Sequence, residues 1–112
     1  MIIDKPWGYE LIVEQNDKYV MKKLYVESGQ RLSLQYHEFK HETMYCIDGE
    51  GFLHLGAGME ERTIALFPGS SHTIPPGTIH RLQAAPYSHV TVLEASTSEL
   101  DDVIRIEDDY AR

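Results

Sequence analysis

The chain has 112 residues, 42% of them hydrophobic, so it can bury one core and is expected to form a single domain over residues 1–112. Its formal net charge of −8 argues against nucleic acid or an anionic membrane as a partner, because a net negative field attracts neither. A single cysteine excludes an internal disulfide, and no apolar run resembles a secretory signal or approaches the roughly 20 residues of a membrane span, so we expect a cytoplasmic protein.

Short strands separated by turns are predicted along nearly the whole chain. Alternation of apolar and polar residues with period 2 predicts strands over 9–13, 19–26, 31–37, 43–47, 52–55, 62–66 and 89–93. Asparagine, glycine and proline predict turns at 16–17, 28–29, 48–51, 67–69 and 75–77. At most one short helix is expected, over 97–102. This pattern is typical of an all-β sandwich or barrel.

Four side chains from two distant stretches have the chemistry of one metal site. Gln35 and His37 are two residues apart on a predicted strand, so they point to the same face. Glu42 follows shortly after them, and His80 comes directly after the turn at 75–77. Two imidazoles, a carboxylate and an amide oxygen suit Zn²⁺, Fe²⁺, Mn²⁺ or Ni²⁺. Each residue alone is more often an ordinary polar side chain, and Gln35 could instead orient a water, but their joint spacing predicts a divalent metal site.

The amino-acid sequence around these residues resembles that of the cupin superfamily. Gly69-x5-Pro75-x-Gly77-x2-His80 is similar to the second cupin motif, and Gln35-x-His37 with Glu42 and Gly49 is similar to the first. Glutamine in place of the first histidine resembles the phosphomannose isomerase group. Four further stretches are similar to the type II mannose-6-phosphate isomerase domain, at 5–8, 29–37, 74–82 and 101–112. The chain departs from the cupin pattern at Ala84, where the family often has asparagine.

This resemblance implies a fold, a reaction and a set of ligands. The fold would be a small jelly-roll β-barrel of the cupin kind, often a homodimer. The reaction would be the interconversion of mannose 6-phosphate and fructose 6-phosphate through an enediol. The metal, with Zn²⁺ as the first expectation, would be held by Gln35, His37, Glu42 and His80. The family domain is often fused behind a mannose-1-phosphate guanylyltransferase, for which 112 residues leave no room, so that activity is not expected of this chain.

An aldose–ketose isomerase also needs a base that moves a proton between C1 and C2 of the sugar. His72 is our first candidate, because it lies just before the turn at 75–77 and shares a face with Ile74. The alternative is that His72 lines the barrel as an ordinary polar residue. Glu38, His41 and His54 are weaker candidates for the base.

The phosphate of the substrate needs guanidinium or ammonium groups. Arg31 shares the face of Gln35 and His37 in the predicted strand, and Arg105 lies in the matched tail, so we predict that these two arginines bind the substrate. The alternative for Arg105 is an ion pair with one of the neighbouring aspartates.

Two other functions stay open at this point. Two histidines and a carboxylate are also the ligand set of non-haem iron dioxygenases, although Gln35 argues mildly against that reading. A non-catalytic sugar-binding or accessory module fits the small size of the chain. Fold similarity alone does not choose among these functions.

Overall fold

The computed structural model of the chain, which describes residues 1–99 and 101–111, consists almost entirely of β-strands. The strands are β1 (Ile2–Lys5), β2 (Gly8–Gln15), β3 (Val20–Val26), β4 (Leu34–Tyr36), β5 (Glu42–Gly49), β6 (Gly51–Leu55), β7 (Arg62–Leu66), β8 (Ser71–Ile74), β9 (His80–Ala84), β10 (Val90–Ser96) and β11 (Ile104–Glu107). One 3₁₀ turn, Gly58–Glu60, is the helical segment of the described residues. None of these residues forms a helix long and apolar enough to span a bilayer. The predicted all-β class is confirmed.

The strands form two antiparallel sheets. The larger sheet has the order β1-β2-β3-β10-β5-β8, and the smaller sheet has the order β11-β4-β9-β6-β7. Along β5 the side chains of Glu42, Met44 and Cys46 are buried and those between them are exposed, which is the period expected of a strand with one face turned to the interior. Because both sheets turn such a face inward, polar side chains on the inner faces meet in the interior.

The apolar core is built from both sheets. Leu24, Met44 and Val92 come from the larger sheet, and Leu53 and Leu82 come from the smaller one. Ala84 belongs to the same core and is fully buried, so apolar packing occupies the position where cupins often carry asparagine.

Gly8 fixes the start of β2 against β3. Its φ is 152°, and a Cβ at this position would lie 1.9 Å from the carbonyl oxygen of Tyr25. Only glycine permits so close an approach of two backbones. The approach sets the position of the turn between β1 and β2, and Lys5 and Trp7 at this turn line a cavity of about 360 Å³.

Three predicted elements differ from the structure. Regular pairing near residues 31–37 covers only Leu34–Tyr36, with an isolated bridge at Arg31, so strict alternation does not extend to Arg31. Strands β1, β8, β9 and β11 have no counterpart among the predicted strand ranges; β9, for example, is buried on nearly every residue and shows no alternation. The predicted helix over 97–102 is absent from the described residues of that stretch, where Thr97 and Asp102 bond to the backbone of residues 38–41 instead; Leu100 lies outside the described residues.

Candidate metal centre

His37, Glu42 and His80 converge at one point between the two sheets. Glu42 begins β5 in the larger sheet, His80 begins β9 in the smaller sheet, and His37 directly follows β4. One ligand atom from each residue lies within 4.8 Å of the others. Their exposures are 3%, 1% and 1%, so solvent does not screen them. We call these three residues the His–Glu–His group.

Hydrogen bonds to backbone carbonyls fix both imidazole rings. Nδ1 of His37 lies 2.5 Å from the carbonyl oxygen of Asp102, and Nδ1 of His80 lies 2.8 Å from that of Thr78. A carbonyl oxygen only accepts, so Nδ1 is the donor in each ring and Nε2 of the neutral ring carries a lone pair. Both Nε2 atoms face Oε1 of Glu42, at 3.4 Å from His37 and 3.0 Å from His80.

The atoms that face one another in this group have no hydrogen-bond partner among the described residues. They are Nε2 of His37, Nε2 of His80 and both carboxylate oxygens of Glu42, all buried. Lone pairs directed at a buried carboxylate are unfavourable unless a proton or a cation lies among them. A divalent cation accepts all of these donors at once, and histidine ligands usually donate their other ring N–H to a carbonyl, as here. The residues therefore fit a metal ion, and the group is a possible metal site.

Gln35 lies directly beside this group. It is opposite His80 in the register of β4 and β9, which places the two side chains on the same face. Its Oε1 accepts a hydrogen bond from Ser33 Oγ at 2.7 Å, so the amide is held in place. Its role as a fourth ligand stays a prediction.

Two further buried, charged side chains lie beside the group. Lys40 Nζ lies 3.3 Å from Glu42 Oε2 and 3.4 Å from Glu94 Oε1. Burial raises the pKa of Glu42, but contacts with His37 and His80 and the charge of Lys40 outweigh it and hold this pKa well below its usual range. Burial and the negative charge of Glu42 raise the pKa of Glu94 to about 7.

A cavity of about 360 Å³ opens next to the group. It is lined by side chains of the first three strands, by residues around β4 and by the segment before and within β11; the charged and polar ones are Lys5, Glu10, Lys22, Gln35, His37, Lys40, Glu94, Asp101 and Arg105. The cavity thus reaches His37 and Gln35 at the candidate metal site.

The remaining predicted residues fall at different places. Arg105 lines the cavity and lies opposite Gln35 in the register of β11 and β4. Arg31 bonds Asp109 through Nε at 2.6 Å and Nη2 at 2.9 Å and does not line the cavity. His72 lies on β8 opposite Met44, and its buried Nε2 has no hydrogen-bond partner in the described part of the chain, but it is not among the cavity-lining residues either. The substrate and base roles of these three residues stay predictions.

Asp102 is a positioning residue that the sequence reasoning missed. Its carbonyl accepts the His37 bond, and its carboxylate accepts the backbone N–H groups of Glu38, Phe39 and Lys40 at 3.1, 2.7 and 2.9 Å. Bonds from the N–H groups of Phe39, Lys40 and Glu38 lower the pKa of this carboxyl. Asp102 thereby holds the loop between β4 and β5, which carries His37.

Glu94 was also missed, and Lys22 was considered for the phosphate but not preferred, although the sequence carries a signal for both. In β10 the buried residues Val90 and Val92 alternate with less buried ones, and the same period puts Glu94 on the inner face. In β3 it puts Lys22 on the face of Leu24. A charged residue in phase with the apolar face of a strand indicates a buried polar site.

Comparison with known families identifies one family that matches nearly the whole chain. The family described as mannose-6-phosphate isomerase C-terminal matches residues 2–108. The chain belongs to this family. Among curated relatives, it is 30% identical to the xanthan biosynthesis protein XanB of Xanthomonas campestris and 30% identical to the alginate biosynthesis protein AlgA of Pseudomonas aeruginosa. Each match covers 96% of this chain but only 23% and 22% of those proteins, so the chain spans less than a quarter of their length.

Solved structures confirm the cupin fold. KdgF from Halomonas sp. superposes with a TM-score of 0.75 at 19% identity, over 90% of each chain. The capsular polysaccharide assembling protein CapF from Staphylococcus aureus superposes with a TM-score of 0.80 at 14% identity, over 96% of this chain and 32% of that one. At these identities the likeness establishes the fold and leaves the reaction to be argued from the site.

Proposed function

We propose that this chain is a metal-dependent sugar-phosphate isomerase that interconverts mannose 6-phosphate and fructose 6-phosphate. The observation that carries the proposal is the convergence of two imidazole Nε2 atoms on one buried carboxylate, beside a cavity lined by both basic and acidic side chains. Membership of the mannose-6-phosphate isomerase C-terminal family supports the choice of reaction. The whole activity of the longer relatives is not assumed, because the matches cover 20 to 23% of their length.

The metal would be held by His37, Glu42 and His80, with Gln35 as a fourth ligand. We propose Zn²⁺ first, and Fe²⁺, Mn²⁺ or Ni²⁺ as alternatives, since nitrogen and oxygen ligands bind all four. A bound divalent ion supplies Lewis acidity, which polarises the carbonyl and hydroxyl oxygens of the sugar. The carbonyls of Asp102 and Thr78 accept from Nδ1 of the two rings, which leaves Nε2 of each neutral ring as the atom that would bind the metal.

The proton transfer between C1 and C2 of the sugar is proposed for His72. Its Nε2 is buried and has no hydrogen-bond partner among the described residues, so this atom is free to accept a proton from a substrate. His72 is opposite Met44, one inward-facing position along β5 from Glu42. The base must remove a proton from one carbon and return it to the other, so a residue fixed by a strand suits the task better than a mobile one.

Metal analysis and hydrogen exchange test the proposal together. The purified chain should contain a divalent metal and should exchange the C2 proton of mannose 6-phosphate with deuterated buffer, and a chelator should abolish the exchange. Glu42→Gln and His80→Ala should each cut metal content sharply, whereas His41→Ala, an exposed histidine next to the group, should keep it. Full metal content in Glu42→Gln and His80→Ala would contradict the ligand assignment.

A second measurement separates the base from the ligands. His72→Asn should keep its metal and lose exchange at C2, because it removes the proton acceptor without touching the ligands. Unchanged turnover in this variant would remove His72 from the reaction.

A non-catalytic sugar-binding or accessory module is the second candidate, favoured by the position of His72, the proposed base, outside the lining of the cavity. Binding of mannose 6-phosphate by the metal-loaded chain without any exchange at C2 would favour the module. Exchange that depends on the metal would favour the isomerase.

Assembly and location also belong to the proposal. We propose a homodimer, supported by apolar side chains on the outer face of β5, where Tyr45 and Ile47 are 45% and 39% exposed. Sedimentation velocity measures the oligomeric state directly, and a monomer at micromolar concentration would refute the proposed homodimer.

A cytoplasmic location is supported by the free thiol of Cys46, which is typical of a reducing compartment.

A further inference from the structure

A cluster of charged side chains in the cavity has no part in the metal site. Lys22 Nζ lies 2.7 Å from Glu10 Oε1, and Lys5 Nζ lies 3.5 Å from Glu10 Oε2. Their side chains are largely buried, at 12% exposure for Lys22, 25% for Lys5 and 9% for Glu10. We call these three residues the Lys5–Glu10–Lys22 cluster.

The side chains that line the cavity carry one more positive than negative charge, with Lys5, Lys22, Lys40 and Arg105 against Glu10, Glu94 and Asp101. Lys5 and Lys22 contact Glu10, and Lys22 also lies opposite Glu94, because burying a charge is unfavourable unless a partner neutralises it. The excess does not follow from composition, because the whole chain carries a formal charge of −8. A cationic wall in an acidic protein indicates a place for an anionic group of a ligand.

Two other cavity residues carry donors without acceptors. Arg105, on the opposite sheet, has no hydrogen-bond or ion-pair partner among residues 1–99 and 101–111. Trp7 is 3% exposed, and its buried indole Nε1 has no acceptor among the same residues. A buried unpaired donor such as Trp7 Nε1 is rare in folded proteins and calls for an acceptor from a ligand or a water. The Arg105 side chain is exposed, so its guanidinium group is available to a ligand.

The cluster lies on the same surface as the candidate metal site. Lys22 is opposite Glu94 in the register of β3 and β10, Glu94 contacts Lys40, and Lys40 contacts Glu42. Two charged side chains therefore stand between Lys22 and Glu42. The cavity has a volume of about 360 Å³, which is a usual size for a small-molecule site. A small ligand could therefore place an anionic group at Lys22 and its other end at the candidate metal site.

We infer that the Lys5–Glu10–Lys22 cluster, with Arg105, binds the phosphate group of a phosphorylated sugar whose other end lies at the His–Glu–His group. The inference rests on the proposed function and adds Lys5 and Lys22 to its binding site. Arg31 is left out of this phosphate site, because it does not line the cavity and two of its donors are engaged by Asp109. A phosphate dianion accepts from ammonium and guanidinium groups and leaves Glu10 to hold the two lysines apart.

Calorimetric titration of the metal-loaded chain tests the assignment. The probes are inorganic phosphate and mannose 6-phosphate, with mannose as the uncharged reference. Lys22→Met should weaken binding of both phosphates by about tenfold, the usual effect of losing one charged hydrogen bond, and should leave mannose binding unchanged. Lys23→Met is the matched control, because Lys23 is the next residue of β3, faces outward and lies 6.0 Å from the ring centroid of Tyr9.

Glu10→Gln gives a prediction of opposite sign. It removes the carboxylate that competes with the ligand for both lysines, so it should tighten phosphate binding, whereas a purely structural role of Glu10 would weaken it. Equal effects of Lys22→Met and Lys23→Met, or weaker phosphate binding by Glu10→Gln, overturn the inference. If Lys22→Met does not fold, Glu10→Gln and Lys5→Met decide the question. Tighter phosphate binding by Glu10→Gln and weaker phosphate binding by Lys5→Met support the inference. Unchanged phosphate affinity in both variants overturns it.

The same data separate this inference from the proposed function. Phosphate binding that depends on Lys22 without exchange at C2 leaves the phosphate site standing and removes the isomerase. If Lys22→Met and the wild-type chain both show exchange at C2 with the same KM for mannose 6-phosphate, the isomerase proposal stands and the phosphate site is removed.

Discussion

Glu94 is a buried carboxyl whose ionisation should lower the stability of the metal-free protein. It is 5% exposed and faces Lys22 on β3, Met44 on β5, and Lys40, with the charge of Glu42 close by. Burial and Glu42 raise its pKa, and Lys40 and Lys22 offset this only in part, so the value settles at about 7. Replacing Glu94 by glutamine removes the charge and keeps the shape.

The direction and size of the effect follow from the two pKa values of this carboxyl. In the unfolded chain the pKa is near 4.5, and in the folded chain it is about 7, so the folded state binds the proton more tightly. The resulting stability is fully present below about pH 4.5 and is lost as the pH rises through about 7. At about 1.4 kcal/mol for each pH unit, the loss amounts to at most about 3 kcal/mol.

Urea unfolding of chelator-treated protein at pH 5 and pH 8 measures this effect. Glu94→Gln should resemble the wild-type chain at pH 5 and exceed its free energy of unfolding at pH 8 by up to about 3 kcal/mol. Glu38→Gln, which removes an exposed carboxylate, should follow the wild-type chain at both pH values. A constant difference between Glu94→Gln and wild type across this range would refute the reasoning.

Three further substitutions have defined outcomes. Asp102→Ala should weaken metal binding by about 10- to 100-fold in a competition assay with a chromogenic chelator, since it frees the loop that carries a ligand, whereas exposed Asp101→Asn should not. Gly8→Ala should lower the melting temperature more than Gly58→Ala, because both have positive φ but only the first meets a backbone atom, at 1.9 Å; equal losses would contradict the close approach. Leu53→Ala should cost about 2–5 kcal/mol in urea unfolding, as its fully buried side chain leaves a cavity, and a loss under about 1 kcal/mol would contradict this.

The sequence was sufficient for the features that local rules determine. Period-2 alternation and turn residues predict the all-β class, because each strand of these sheets turns one face to the core. The spacing of His37, Glu42 and His80 predicts that they meet, and the structure brings their ligand atoms within 4.8 Å of one another. Both inferences depend on short stretches of sequence or on a motif whose spacing is itself specific.

Features that depend on distant pairings could not be predicted in this way. The predicted strand over 31–37 is shortened to Leu34–Tyr36, and Arg31 pairs with Asp109, a residue 78 positions away. Asp102 bonds the loop of residues 38–40 instead of beginning a helix, and this too requires a contact across more than 60 residues. Local propensity favours a helical turn at such a segment, and the tertiary bonds to three backbone N–H groups override it.

The position of the candidate metal site gives the cation a second role in the fold. Glu42 belongs to the larger sheet, and His80 and Gln35 belong to the smaller one, so an ion bound by all three joins the two sheets across their interior. Without the ion, two Nε2 lone pairs face a carboxylate whose closest positive partner is Lys40. Binding therefore relieves an unfavourable contact and links the sheets at once, and both effects act on the folded state alone. A metal concentration one hundred times Kd should then raise the free energy of unfolding by about 2.7 kcal/mol. The same metal concentration should stabilise Glu42→Gln far less, because this variant replaces the only carboxylate among the proposed ligands by a neutral amide.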